Sequence, residues 1–243
     1  MRQGGTLNRE YVKWYSSRLS REMEMLVFGH AGAAVLVFPT SMGRFFQYED
    51  FGMVEALRHH IEQGWLQLFC VDGVDGESWY NTGTAPRDRA IRHGHYEGYL
   101  VQEVLPFIQN INHSGFLTVT GNSFGAYHAV NFSLKHPWLV DRVIAISGSY
   151  GVPYLGGGYN DQEIYFNSPL DYLPNLTNEG YLRPLREKIM FYLMVGGWGD
   201  ICHEGTLRMA AVLANQGIPH RLDVWDEAWH DWPWWRQMIL KYI

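Results

Sequence analysis

The chain of 243 residues is poor in several features that would settle its class at once. It has two cysteines, Cys70 and Cys202, too few for a disulfide framework and placed in different predicted elements, so a reduced pair is expected. Long basic runs are missing and the formal net charge is -6, which argues against nucleic acid or an anionic membrane as a partner. The densest basic stretch, Arg87 to His95, reads as a solvated helix face. No apolar run approaches the length of a membrane span, and Met1 to Leu19 lacks the apolar core of a signal peptide, so the expected location is cytoplasmic. Repeats, low-complexity tracts and linkers are also missing, and the length suits one domain, residues 1–243. No His, Cys and Asp cluster has metal-site spacing, and the "HGH" at His93 to His95 stands alone and reads as structural. Neither a metal nor an organic cofactor is expected.

What the chain has is aromatic residues, 15 % of the total with 10 Trp, which implies a ring-rich core or a cleft lined with rings. It also has a rhythm. Tyr11–Leu19 and Met23–Gly29 read as two antiparallel strands. "AAVLVFPT" from Ala33 is an unbroken apolar run that fits a strand buried on both faces. A helix is predicted from Tyr48 to Gly64, with Phe51, Val54, Leu57 and Ile61 on one stripe. After that, strands "WLQLFCVD", "FLTVTGNS", "RVIAISGSY", "KIMFYLMVGG" and "PHRLDVWDE" alternate with helices, the last being "WPWWRQMILKYI". Such alternation predicts an α/β fold with a right-handed, doubly wound, mostly parallel sheet and an antiparallel N-terminal pair. The segment 151–184 breaks the rhythm, and a cap-like insertion over the C-terminal edge of the sheet, where ligands bind in such folds, would explain it.

The stretch "LTVTGNSFGAYHAV" carries the chemistry. An apolar strand ends in a serine between two glycines and gives way to a helix, the context of a nucleophile elbow. Side chains at Gly121 or Gly125 would collide with strand and helix, and the turn holds Ser123 in a strained conformation. The amide of Phe124 then lies at the helix N-terminus, aimed at developing negative charge. Serine needs a base and an orienting acid, which in this architecture follow in that chain order after later strands. Asp200 follows "KIMFYLMV" and His230 follows "PHRLDVWDE", each just past a strand end. Asp226, Glu227 and Asp231 are weaker candidates for the acid because they suit turns and caps, and Asp171 is weaker still. His128 and His203 read as packing and capping residues. A second oxyanion amide is expected in the loop after the third strand, from Thr40, Ser41 or Met42, with Ser41 preferred.

From about Val35 onward the chain resembles the esterase D-like branch of the α/β-hydrolases, which includes S-formylglutathione hydrolases, feruloyl esterases and mycolyltransferases. The resemblance rests on "GNSFGA", "DGVDGESWYN", "YFNSPLDYL", "GGWGD" and "GIPHRLDVWDEAWHDWPWW". It implies Ser123 as nucleophile, Asp200 as acid and His230 as base, with Ser78 to Tyr80 bordering the acyl or alcohol pocket. One departure stands out: relatives usually carry a "HG" or "DG" pair before the oxyanion amide, where this chain has Pro39 and Thr40. The expected reaction is hydrolysis of a small-molecule carboxylic ester or thioester through an acyl-enzyme. Two rivals stand beside it. A dry aromatic pocket around Trp79, Tyr80 and Trp232 would favour acyl transfer of the mycolyltransferase type, and a missing triad member would mark a catalytically silent binding protein.

Overall fold

Apolar side chains that alternate along the central strands have two faces to fill, and two cores result. In a computed structural model, which describes residues 7–152, 155 and 157–243, eight strands form one sheet in the order β1-β2-β4-β3-β5-β6-β7-β8. Met1–Thr6, and Pro153, Tyr154 and Gly156 of the predicted insertion, lie outside the described residues. The strands are β1 (Arg9–Ser16), β2 (Arg21–Phe28), β3 (Ala33–Phe38), β4 (Leu66–Val71), β5 (Leu117–Asn122), β6 (Arg142–Ile146), β7 (Met190–Gly196) and β8 (His220–Trp225). β2 pairs antiparallel with β1 and β4, and every other pairing is parallel, as the alternation predicts.

Leu36 and Phe38 of β3, with Val143 and Ala145 of β6, point into one core. Val35 and Val37, with Ile144 and Ile146, point into the other. The period of two along each strand therefore sorts side chains between two helical layers. The first core is closed by α4 (Pro86–Tyr99), α5 (Leu105–Ile111), α6 (Phe124–Lys135) and α10 (His203–Asn215). The second is closed by α1 (Gln47–Asp50), α2 (Met53–Ala56), α3 (Arg58–Glu62) and α11 (Trp232–Ile239). Each large side chain sealed this way contributes roughly 1.5–3 kcal/mol.

One expectation needs correction, and two further features add to the sequence reading. The helix predicted over 48–64 is three short pieces: Gly52, at φ 75°, interrupts the hydrogen-bond ladder between α1 and α2, and a second break falls at Leu57. Val54, Leu57 and Ile61 keep their buried stripe, while Phe51 lies at the break, exposed, and stacks on Trp232. Between α4 and α5 the helix passes through a π turn, Leu100–Val104. Pro106 lacks an N–H and crowds the preceding turn, which explains the widened helix there. Finally, the described part of 151–184 is ordered: α7 (Gln162–Tyr165), α8 (Pro169–Tyr172), a 3-10 turn at Leu173–Asn175, and α9 (Glu179–Glu187), which runs on through Pro184. This segment packs along α6, where Tyr127 donates to the Asn167 carbonyl at 2.8 Å and Tyr172 donates to Asn131 at 3.1 Å.

Candidate active site

Ser123 sits between the end of β5 and the first residue of α6, with φ 56° and ψ -121°. A residue other than glycine in that region stores about 1–3 kcal/mol of strain, held here by the surrounding close packing. A Cβ at Gly121 would lie 2.4 Å from the Gly125 carbonyl, and one at Gly125 would lie 2.6 Å from the carbonyl oxygens of Phe38 and Pro39. Both positions therefore exclude a side chain, as the sequence suggests. The same contacts press the N-terminus of α6 against the loop that leaves β3.

Asp200 and His230 converge on this serine. Asp200 follows the end of β7, and His230 lies in the loop before α11. The Ser123 hydroxyl is 2.9 Å from His230 Nε2, and His230 Nδ1 is 2.9 Å from Asp200 Oδ1. Since a carboxylate only accepts, Nδ1–H donates to Asp200 and Nε2 is left to accept from the serine. The two loops can meet because Cβ atoms at Gly196 and Gly197 would strike the carbonyl oxygens of Ala228 and Asp226, at 2.3 and 2.2 Å. The "GG" of "GGWGD" is thus the seat of the histidine loop.

Asp200 is almost fully buried and collects four donors. Ser147 Oγ (2.5 Å) and the Gly196 amide (3.1 Å) serve Oδ2, while His230 and the Cys202 amide (2.9 Å) serve Oδ1. Burial pushes its pKa up, but the bonds from His230, Ser147, Cys202 and Gly196 outweigh it and hold the carboxyl at about 2. Ser147, itself at φ 53°, also accepts from Trp235 Nε1 at 3.1 Å, and the Trp235 ring stands edge-on to His230 at 4.9 Å.

In the loop after β3, two of the three candidate amides are engaged. Thr40 N–H donates to Gln47 Oε1 at 2.9 Å, and Met42 N–H donates to Asp75 Oδ2 at 3.1 Å. Among the described residues, neither Ser41 N–H nor Phe124 N–H meets an acceptor. The Ser41 hydroxyl accepts from Tyr80 OH at 2.9 Å, and the Tyr80 ring stands edge-on to Phe124 at 5.4 Å.

Two of the expected pocket residues are placed differently. Trp79 is 2 % exposed and packs among Phe124, Tyr127 and His93, so it is a floor beneath the site rather than a wall of it. Trp232 is half-buried and stacks on Phe51 at 4.6 Å, tying α11 to the break before α2. The tryptophan of "WPWW" that touches the histidine is Trp235, one helical turn further on. Sequence reading also passes over Trp198, Ile201 and Trp229, which neighbour Asp200 and His230 along the chain and are 92, 84 and 66 % exposed. Large exposed apolar groups clustered at a site are its simplest signal.

The rejected alternatives have other positions. Asp231 caps α11 by accepting from Trp232 N–H at 2.7 Å, and Asp171 lies in α8. His203 Nδ1–H donates to the Gly196 carbonyl at 2.8 Å, instead of capping its helix. His128 Nε2 is 3.0 Å from Asp75 Oδ1, inside the protein. Atoms of Asp200, Cys202 and His230 lie within 4.8 Å of one another. They suit a metal poorly, because His230 uses both nitrogens and burial, with the charge of Asp200, pushes the Cys202 thiol up to about 12. A cavity of about 620 Å³ lies at the far end of α6, lined by Glu97, Lys135, Tyr165, Tyr172, Leu176 and Tyr181, and Ser123 does not border it. No helix among the described residues is long and apolar enough to cross a membrane.

Residues 49–161 match the family model described as "Putative esterase", a span that holds Tyr80 and Ser123 and ends before Asp200 and His230. No curated protein sequence matches at a significant level. Among solved structures, a ferulic acid esterase superposes with TM-score 0.76 at 15 % identity over 97 % of this chain and 95 % of that one. The S-formylglutathione hydrolase FrmB of Staphylococcus aureus gives 0.74 at 15 % over 98 % and 96 %. The CE1 ferulic acid esterase AmCE1/Fae1A of the anaerobic fungus Anaeromyces mucronatus gives 0.74 at 14 % over 100 % and 92 %. At such identities the superpositions carry the fold, which is that of the α/β-hydrolases. The family match spans 113 of the 243 residues, and the superpositions extend the shared fold over nearly the whole chain.

Proposed function

We propose that the protein cleaves a small-molecule carboxylic ester or thioester in two steps, through an acyl-enzyme on Ser123. His230 takes the serine proton as Oγ attacks the carbonyl carbon, and Asp200 orients the imidazole and stabilises its charged form. The C–O or C–S bond of the substrate breaks as His230 returns that proton to the leaving group. Water, deprotonated by the same imidazole, then releases the acid and restores the serine. Amides of Phe124 and Ser41 receive the oxyanion, and each such donor is worth about 3–4 kcal/mol in the transition state.

The observation that carries this reading is the unbroken chain of 2.9 Å contacts from Ser123 Oγ through His230 to Asp200. Support for Ser41 comes from its neighbours, since Thr40 and Met42 spend their amides on Gln47 and Asp75. The 243 residues act in this reading as one domain, with 151–184 as its cap, because Val152 and Ile164 pack against Phe124 beside the elbow. Acyl transfer to an alcohol loses its main support, as Trp79 is buried and Trp232 is occupied by Phe51. A silent binding protein is disfavoured because serine, imidazole and carboxylate are all present and in contact. Ser123→Ala should melt near the wild-type temperature and lose about 10⁴-fold or more of kcat on p-nitrophenyl acetate. Wild-type turnover by that variant would overturn the reading.

A further inference from the structure

The loop that offers Ser41 carries unusual strain. Met42, the next residue, has φ 58°, a left-handed conformation that a long side chain adopts only when something holds it there. What holds it is Asp75, whose Oδ2 accepts from Met42 N–H at 3.1 Å. The other oxygen of Asp75 accepts from His128 Nε2–H at 3.0 Å, and both side chains are sealed, at 3 and 4 % exposure. His128 belongs to α6, the helix that begins at Phe124. Its ring lies between Phe38, at 5.7 Å, and Phe124, at 4.8 Å, which are the last residue of β3 and the first residue after the nucleophile.

One carboxylate therefore joins the two backbone segments from which the oxyanion donors come. Gln47 fixes Thr40, Tyr80 fixes the Ser41 hydroxyl, and Asp75 fixes Met42 and is itself referenced to the nucleophile helix. A buried carboxylate with one oxygen unpartnered costs more than a lost hydrogen bond, so the pair holds its geometry strongly.

We infer that Asp75 and His128 are positioning residues that register the Ser41 amide against the Phe124 amide, so that both meet the oxyanion. The inference rests on the proposed serine mechanism and adds to it a device that touches no substrate.

The test compares kcat, KM and the affinity of an alkyl trifluoromethyl ketone, whose adduct presents an oxyanion, in Asp75→Ala, His128→Met and His128→Gln. Glutamine can still donate to Asp75, whereas methionine fills the space and cannot. Asp75→Ala and His128→Met should lose about tenfold or more in kcat and in ketone affinity, with KM within about twofold, because a displaced donor weakens the transition state alone. His128→Gln should recover to within about threefold of the wild type. Wild-type kcat and ketone affinity in folded Asp75→Ala or His128→Met would overturn the inference, as would a loss that His128→Gln shares in full. If Asp75→Ala does not fold, Asp75→Asn replaces it: it keeps the shape and one acceptor, a partial loss is expected, and no loss overturns. Ser123→Ala, run alongside, separates the two levels. An active Ser123→Ala sinks the proposed function, whereas an inactive one beside unimpaired Asp75 and His128 variants sinks only this inference.

Discussion

Two acid–imidazole pairs lie in this molecule, and they are nearly the same by contact. His230 stands 2.9 Å from Asp200, and His128 stands 3.0 Å from Asp75. They differ at the second nitrogen. His230 keeps 17 % of its side chain exposed and its Nε2 reaches a serine hydroxyl, so a proton has somewhere to go. His128 has a buried Nδ1 with no partner among the described residues, and Phe38, Phe124 and the neutral His93 enclose the ring. Burial drives the pKa of His93 far down, so no charge answers His128 from that side. Proton transfer needs an accessible acceptor, whereas positioning needs only a fixed donor. One chemical pair serves both ends, and its surroundings decide which.

The sharpest way to break the comparison is the same substitution in both pairs. His230→Gln keeps an amide in place of the ring but cannot carry a proton, and kcat should fall by about 10⁴-fold or more, against the small change expected for His128→Gln. Equal losses would erase the distinction. Asp200→Asn comes next, with a fall of about 10³–10⁴ in kcat, because an amide favours the wrong imidazole tautomer. A steady-state assay with an unchanged melting temperature checks it.

The Asp200 carboxyl also ties stability to pH. Its pKa is lowered from 3.8 in the unfolded chain to about 2 in the fold, so the stabilisation is full above pH 4 and is lost as pH falls towards 2. The size is about 2 kcal/mol, read as the extra acid sensitivity of the wild type over Asp200→Asn in urea unfolding at pH 5 and pH 2. Glu97, held at about 2 with Lys135 and His136, is common to both proteins and cancels. Identical pH slopes would show that Asp200 is not held as described. The smallest effect belongs to Ser147→Ala, which removes one of four donors to Asp200. About tenfold in kcat is expected, and a change below twofold would mean the remaining donors suffice.

Much of this was legible in the residues themselves. Unbroken apolar runs mark the central strands, and the strand ends put Ser123, Asp200 and His230 at one edge of the sheet. What resisted reading depended on distance through space or on helix phase. Whether Trp232 or Trp235 faces His230 is a matter of where α11 begins, and the Asp231 cap that sets its phase looks like any other polar residue before an aromatic run. Asp75 and His128 are 53 residues apart, one in a glycine-rich loop and one on a helix that packs on all sides, so nothing local pairs them. Gly52 in the middle of an amphipathic stripe was a visible break signal, but the buried pattern of Val54, Leu57 and Ile61 masked it.

The central claim is that Ser123 is made nucleophilic by His230 and Asp200, and reaction with a fluorophosphonate probe tests it most directly. Peptide mass spectrometry of the labelled protein should find one adduct, on Ser123, formed about 10³-fold or more slowly in His230→Gln than in the wild type. An adduct on another serine, or an equal labelling rate in the two proteins, would contradict the account.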